Sequence, residues 1–214
     1  MIYLADNDII LKLAQCDLID LLPEILGSSC EEIFVSPTAK YQLLPKKSEK
    51  ALKKCGNEQS LKRLTFFLNR VAVLSEELID LSLLVTLNNI DGIDSGEDWL
   101  FAAAVEMKAS FLFTGDKRAL KALLAHKNEI PQVVSKLENK VVTFESIILL
   151  AIKHLGFAVV KQKLLGSPKP DGMLKLALKN DAKDLEECLI SFSSDIKPLL
   201  AFKELLPEKL INFQ

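Results

Sequence analysis

The chain alternates short apolar runs with longer segments of helical period, and that alternation leaves few folds open. Ile2 to Ala5, Ile33 to Val35, Phe111 to Phe113 and Val141 to Thr143 are strand candidates, with Val71 to Leu74 a weaker one. The segment between the first two has Leu18, Ile19, Leu21, Leu22 and Ile25 at helical spacing. Helices are interrupted at Gly27, Pro45, Gly56-Asn57, the Asn88 to Gly96 run and Gly115, all positions where turn-forming residues intervene. Strands alternating with helices in this way predict an α/β chain with a mostly parallel sheet flanked by helices.

From about His154 onward no strand pattern recurs. Gly166-Ser167-Pro168-Lys169-Pro170-Asp171-Gly172 reads as a linker, and helical spacing resumes over Leu174 to Leu178 and Asp184 to Leu210. The expected organisation is a sheet domain over residues 1–152 and a helical C-terminal extension over 153–214.

Composition narrows the function. With 214 residues, 49% hydrophobic and 26% charged, the chain is long enough and apolar enough to bury a core, so disorder is excluded as its main state. Lys plus Arg number 27 against 29 Asp plus Glu, a net charge of -2, so binding to nucleic acid by bulk charge is not expected and a polyanion must meet a local patch. Cys16, Cys30, Cys55 and Cys188 are too scattered for a paired zinc motif, and only His126 and His154 could supplement them. Scattered free thiols fit a cytoplasmic, reducing setting. No stretch approaches the roughly 20 apolar residues of a membrane span, and Asp6 and Asp8 interrupt the start where a signal peptide would be continuously apolar.

Local charge is far from even. Residues 40–70 hold nine basic residues against Glu49 and Glu58, a local balance of +7, and the spacing of Lys46, Lys50, Lys53 and Lys54 gathers them on one side of a helix. Such a stripe suits a phosphate backbone or, equally simply, a solvated helix face. Residues 71–107 hold no Lys or Arg and eight acids, from Glu76 to Glu106.

Three acidic groups stand at element boundaries. Asp6 follows the first strand candidate in Leu4-Ala5-Asp6-Asn7-Asp8, and Asp116 follows Phe111 to Phe113 in Thr114-Gly115-Asp116-Lys117-Arg118. Asp94-Ser95-Gly96-Glu97-Asp98 opens an apolar helix from Trp99 to Met107. Each can act as a helix cap, with Ser95 and Asp98 resembling a capping box. Capping alone leaves unexplained why all three open on acids with no basic residue between Arg70 and Lys108. Acids at the carboxyl ends of parallel strands can converge, and clustered carboxylates call for a cation such as Mg²⁺ or Mn²⁺.

In order and context these motifs, with Ala102, Ala103 and Ala104 in the middle helix, resemble PIN-domain nucleases over about residues 1 to 150. The resemblance implies a PIN-like parallel sheet, a Mg²⁺- or Mn²⁺-dependent ribonuclease, RNA as substrate, and an antitoxin or other protein partner, with room for a homo-oligomer. It gives metal-binding roles to Asp6, Asp98 and Asp116. Asp98 is chosen because Ala102 follows four residues later, and Glu97 would assist through water or proton handling. Lys46, Lys50, Lys53, Lys54, Lys117 and Arg118 would steer RNA. One departure stands out. By register with Phe34-Val35-Ser36-Pro37-Thr38-Ala39-Lys40-Tyr41-Gln42, Gln42 occupies the position of the family's second-helix Glu, which removes a charge from the site.

Two other readings compete. A haloacid-dehalogenase-like phosphatase would use Asp6 as nucleophile and Asp8 as acid-base, but leaves the Gly96-Glu97-Asp98 helix start without a role. A non-catalytic module of the same fold, binding RNA or protein, would account for Gln42.

Overall fold

The computed structural model describes residues 1–201 except 76, 78, 108–110, 170–171 and 179–181. It is an α/β fold built on a parallel sheet of β1 (Tyr3–Ala5), β2 (Ile33–Val35), β3 (Ala72–Val73), β4 (Phe111–Phe113) and β5 (Val141–Val142), in the order β3-β2-β1-β4-β5. All the strand candidates form strands, including the weaker one around Val71 to Leu74. The arrangement is consistent with a PIN-like fold.

Helices connect and cover the strands. Between β1 and β2 run α1 (Asn7–Gln15) and α2 (Leu22–Leu26), and between β2 and β3 run α3 (Ala39–Leu43), α4 (Ser48–Cys55) and α5 (Glu58–Leu68). α6 (Leu81–Asn88) and α7 (Glu97–Glu106) lead to β4, then α8 (Lys117–Ala125) and α9 (Pro131–Leu137) lead to β5. Both sheet faces are therefore covered, which is why the strands read as apolar runs without polar alternation. Tyr3 and Ala5 point into one core with Val35 and Phe113, while Leu4 points into the other with Leu112 and Val141. The Tyr3 ring stacks on Phe111 and Phe113, each 5.7 Å away between centroids.

After β5 come α10 (Phe144–Leu155), α11 (Phe157–Leu165), α12 (Gly172–Ala177) and α13 (Ala182–Ser191). α10 runs through residue 152 without a break. Val160, Leu164, Leu185 and Leu189 join the core that holds Tyr3, and Ile190, Ile196 and Leu199 join the one that holds Leu4. The first part of the Gly166 to Gly172 segment is docked: Lys169 Nζ donates to the Lys53 carbonyl at 2.6 Å.

The C-terminal segment departs from its helical pattern in one respect. The helical spacing read from Asp184 onward stops at Ser191, and a 3-10 turn over Ser194–Leu199 containing Pro198 follows. Proline cannot donate the next helical hydrogen bond. The chain then runs along the sheet edge, where Leu200 bridges Val141 in parallel and the Ala201 N–H donates to the Val141 carbonyl at 2.7 Å. Residues 202–210 of the helical reading lie outside the described residues.

Strand order places the candidate site. From β1 the chain steps outward to β2 and β3, then crosses back to β4 and β5 on the other side. The reversal falls between β1 and β4, where a parallel sheet opens a crevice beyond its carboxyl edge. Asp6 follows β1 at this edge and Asp116 lies just beyond β4. The Asp6 N–H still donates to the Phe113 carbonyl at 2.9 Å, tying the two strand ends together.

Candidate active site

A cavity of about 580 Å³ opens at that crevice, and its walls include Asp6, Asp8, Asp94, Glu97 and Asp116. Its other walls include Asn7, Gln42, Lys54 and Gly115. Side chains from the first, middle and last acidic groups thus share one space, although they are far apart in the chain.

The acids differ in how their oxygens are engaged. Asp116 is a helix cap: Oδ1 accepts from the N–H groups of Arg118 at 2.8 Å and Ala119 at 3.0 Å. The Thr114 hydroxyl braces the same turn by accepting from the Asp116 N–H at 3.1 Å. Asp116 Oδ2 faces Arg118 Nη2 only at 3.5 Å. Asp6 also precedes a helix, yet its side chain makes no capping hydrogen bond. Burial pushes its pKa up to about 6, the Asp8 charge adds to this, and the N–H groups of Asn7 and Asp8 oppose it.

In the middle group Asp94 and Glu97 exchange hydrogen bonds in the manner of a capping box, at the start of α7, whose N-cap position is Gly96. Asp94 Oδ1 accepts from the Glu97 N–H at 3.1 Å, and the Asp94 N–H donates to Glu97 Oε2 at 2.8 Å. Burial raises the Asp94 pKa, but the N–H groups of Gly96 and Glu97 outweigh it and leave the carboxyl below its ordinary value. Glu97 is only 6% exposed. Burial drives its pKa up to about 8, with the Asp94 side chain and the Asp116 and Asp94 charges raising it further against the Asp94 N–H.

The box also decides which acid meets the cavity. Glu97 lines it, whereas Asp98, one position on and rotated by about 100°, does not. Asp98 is buried, its Oδ1 accepts from the Trp99 N–H at 2.6 Å, and burial raises its pKa. The structure thus brings Asp6, Glu97 and Asp116 together and leaves Asp98 out of their shared space. Asp94 and Asn7 line the cavity without a role assigned from sequence, and Asp8 lines it with a role only in the phosphatase reading. The Asp94-x-x-Glu97 spacing, two acids three residues apart that can exchange backbone hydrogen bonds, is the signal that could have selected Glu97.

The basic residues divide in the same way. Lys54 alone of the Lys46, Lys50, Lys53 and Lys54 set lines the cavity, and its Nζ donates to the Gln42 carbonyl at 2.7 Å. Lys46 precedes α4, while Lys50 and Lys53 lie exposed along it. Lys117 reaches Glu145 Oε1 at 2.6 Å and lies over the Phe192 ring, 5.1 Å from its centroid. Arg118 is exposed beside Asp116. Gln42 accepts from Asn7 Nδ2 through Oε1 at 2.6 Å, and Asn7 Oδ1 is buried without a hydrogen-bond partner.

The donor set fits a hard cation. It consists of oxygens, including the uncapped carboxylate of Asp6 and the unpartnered Asn7 Oδ1, and burial, with the nearby charges added to it, opposes ionisation of Asp6 and Glu97. Among the described residues no three His, Cys, Asp or Glu side chains form a ready-made metal cluster. Mg²⁺ needs none, since it keeps several waters and binds through one or two carboxylates. Among the same residues, no helix is long and apolar enough to cross a membrane.

Compared with known proteins, the chain matches no family model, no curated protein and no solved structure at a significant level.

Proposed function

We propose that the chain is a Mg²⁺- or Mn²⁺-dependent ribonuclease of PIN type. The observation that carries this reading is the shared cavity of Asp6, Glu97 and Asp116 at the crevice where strand order reverses. Asp6 and Asp116 would hold the ion, with Glu97 taking the place that the family pattern gives to Asp98. The bound ion would supply charge to activate water and to stabilise the oxygen leaving phosphorus. Glu97, with its pKa near 8, can hold or release a proton close to neutral pH. Lys54 at the cavity wall supplies a donor for a phosphate oxygen. An antitoxin or other inhibitory partner and a homo-oligomeric state belong to this proposal through the family resemblance alone.

The test is cleavage of single-stranded and structured RNA. Activity should vanish with EDTA, return with Mn²⁺ or Mg²⁺, and fall by about a thousandfold or more in Asp6→Asn, on the scale of losing a group that stabilises the transition state. Cleavage unaffected by chelation and by that substitution would exclude the mechanism.

The second reading, a non-catalytic RNA- or protein-binding module, is favoured by the lock between Gln42 and Asn7, which places an amide where the family has a carboxylate. Gln42→Glu separates the two. A rise in cleavage marks an attenuated nuclease, whereas RNA binding without cleavage in either form marks a binding module.

A further inference from the structure

A second cavity, of about 320 Å³, opens beside the acidic one and shares Asp6, Asn7, Gln42, Ser95 and Gly96 with it. Its further walls come from the loop after β2, with Ser36 and Thr38, and from α7, with Trp99. The first turn of α7 serves both spaces. Glu97 lines the acidic cavity, and Trp99, two positions on and turned by about 200°, lines this one.

The two cavities differ in charge. Five carboxylates and Lys54 line the acidic one, whereas among the described residues lining the second the one charged side chain is the shared Asp6. Trp99 is half-buried and packs partly on the core that holds Leu4. Among the described residues no second ring and no cation lies against its indole. The hydroxyls of Ser36 and Thr38 meet each other at 3.4 Å, which leaves each with further hydrogen-bonding capacity. Gln42 accepts from Asn7 through Oε1, and its Nε2 carries two donors.

An open aromatic wall ringed by neutral hydroxyl and amide groups suits a flat, uncharged group with donors and acceptors along its edge. A nucleotide base is such a group, and its face stacks on tryptophan. The neighbouring cavity selects a base over other flat molecules: the charged part of a nucleotide belongs with the cation among the carboxylates, and the neutral part with Trp99.

We infer that this cavity seats the base of the nucleotide next to the cleaved phosphodiester, stacked on Trp99 with its edge toward Ser36, Thr38 and Gln42. Its place beside the cleaved bond rests on the ribonuclease reading; stacking of an RNA base on Trp99 does not. Gln42 then has a use that a Glu would not, since it puts neutral donors where the two cavities join.

Trp99 is the chain's single tryptophan, so its fluorescence reports on this cavity alone. The full chain in Mg²⁺ is mixed rapidly with oligoadenylate, or with an abasic ribose-phosphate strand of the same length, so that binding is read ahead of any cleavage. Oligoadenylate should quench the fluorescence and bind at least about tenfold more tightly than the abasic strand, which should not quench. With labelled strands followed by anisotropy, Trp99→Leu should lower that preference by about tenfold, and Trp99→Phe, which keeps a ring, should retain most of it. The quenching measurement needs no substitution, so it decides the matter even if Trp99→Leu fails to fold. The inference is overturned if both strands quench alike, if neither does, or if a folded Trp99→Leu chain keeps the full preference. Quenching by oligoadenylate in a chain that never cuts RNA would keep the base subsite and remove the nuclease; cutting with the tryptophan undisturbed would do the reverse.

Discussion

Asp6 and Asp17 stand beyond opposite ends of α1 and meet opposite surroundings. Asp17, at φ +56°, pairs with Arg63 of α5 at 2.6 Å and with Lys163 of α11, whose Nζ also donates to the Asp17 carbonyl at 3.0 Å. It binds three helices to one point. Asp6 makes no side-chain capping bond, and burial first, then the Asp8 and Asp94 charges, oppose its ionisation against the N–H groups of Asn7 and Asp8. A carboxylate of the first kind holds the fold together. One of the second kind strains against it, and is the kind on which a cation has most to gain.

The largest effect should come from removing the structural acid. Asp17→Val deletes both ion pairs and places a β-branched side chain at positive φ, where it is strained. Stability should fall by about 3 kcal/mol, combining the backbone strain with the lost pairs. Asp17→Asn, which tolerates that backbone and removes only the charge, should cost about 1 kcal/mol. Urea unfolding at pH 7 checks both; equal losses would show that the backbone conformation contributes nothing.

The cavity acids should respond with the opposite sign. Glu97 is raised from 4.5 to about 8 in the folded chain, so the native state binds the extra proton between those values. Stability from this group is therefore undiminished below about pH 4.5, declines as pH rises, and reaches its full penalty above about pH 8. Glu97→Gln should leave stability unchanged at pH 4 and raise it by about 2 kcal/mol at pH 8.5 without divalent ions. Asp6→Asn should behave likewise with a smaller gain, its window running from 3.8 to about 6. Thermal unfolding across pH checks both. Under the metal-dependent reading, adding Mn²⁺ at pH 8 should stabilise the unsubstituted chain and do so less in Asp6→Asn.

Much of this division was legible in sequence, at the level of elements. Apolar runs as short as Ile33 to Val35 and the turn residues between helices were enough for a parallel sheet, because both of its faces are buried. The positions of Asp6 and Asp116 after strands were enough to expect them at one edge. The choice between Glu97 and Asp98 was not, because it depends on the register in which α7 starts, and one residue of register turns a side chain by about 100°. Nor was the partner of Asp17, since Lys163 is 146 residues away and meets it only because α11 joins the same core as α1. The edge bridge of Leu200 escaped for a similar reason: a single paired residue leaves no periodicity to read.

The smallest change tests how closely the two strand ends approach. A Cβ on Gly115 would meet Asp8 Oδ2 at 3.0 Å, with Lys12 Nζ at 3.9 Å. The atom in the way is the free end of an exposed side chain held by an ion pair to Lys12, so it can move aside. Gly115→Ala should therefore cost about 0.5 kcal/mol or less, the scale of a surface substitution. Its effect on the cavity should be larger than its effect on the fold. Displacing Asp8 moves the charge that helps raise Asp6, so the Asp6 titration, followed by carboxyl carbon shifts, should fall from about 6 toward its ordinary value. An Asp6 titration unmoved by Gly115→Ala would show that burial alone sets it, and that Asp8 belongs with Asp17 among the acids that serve structure.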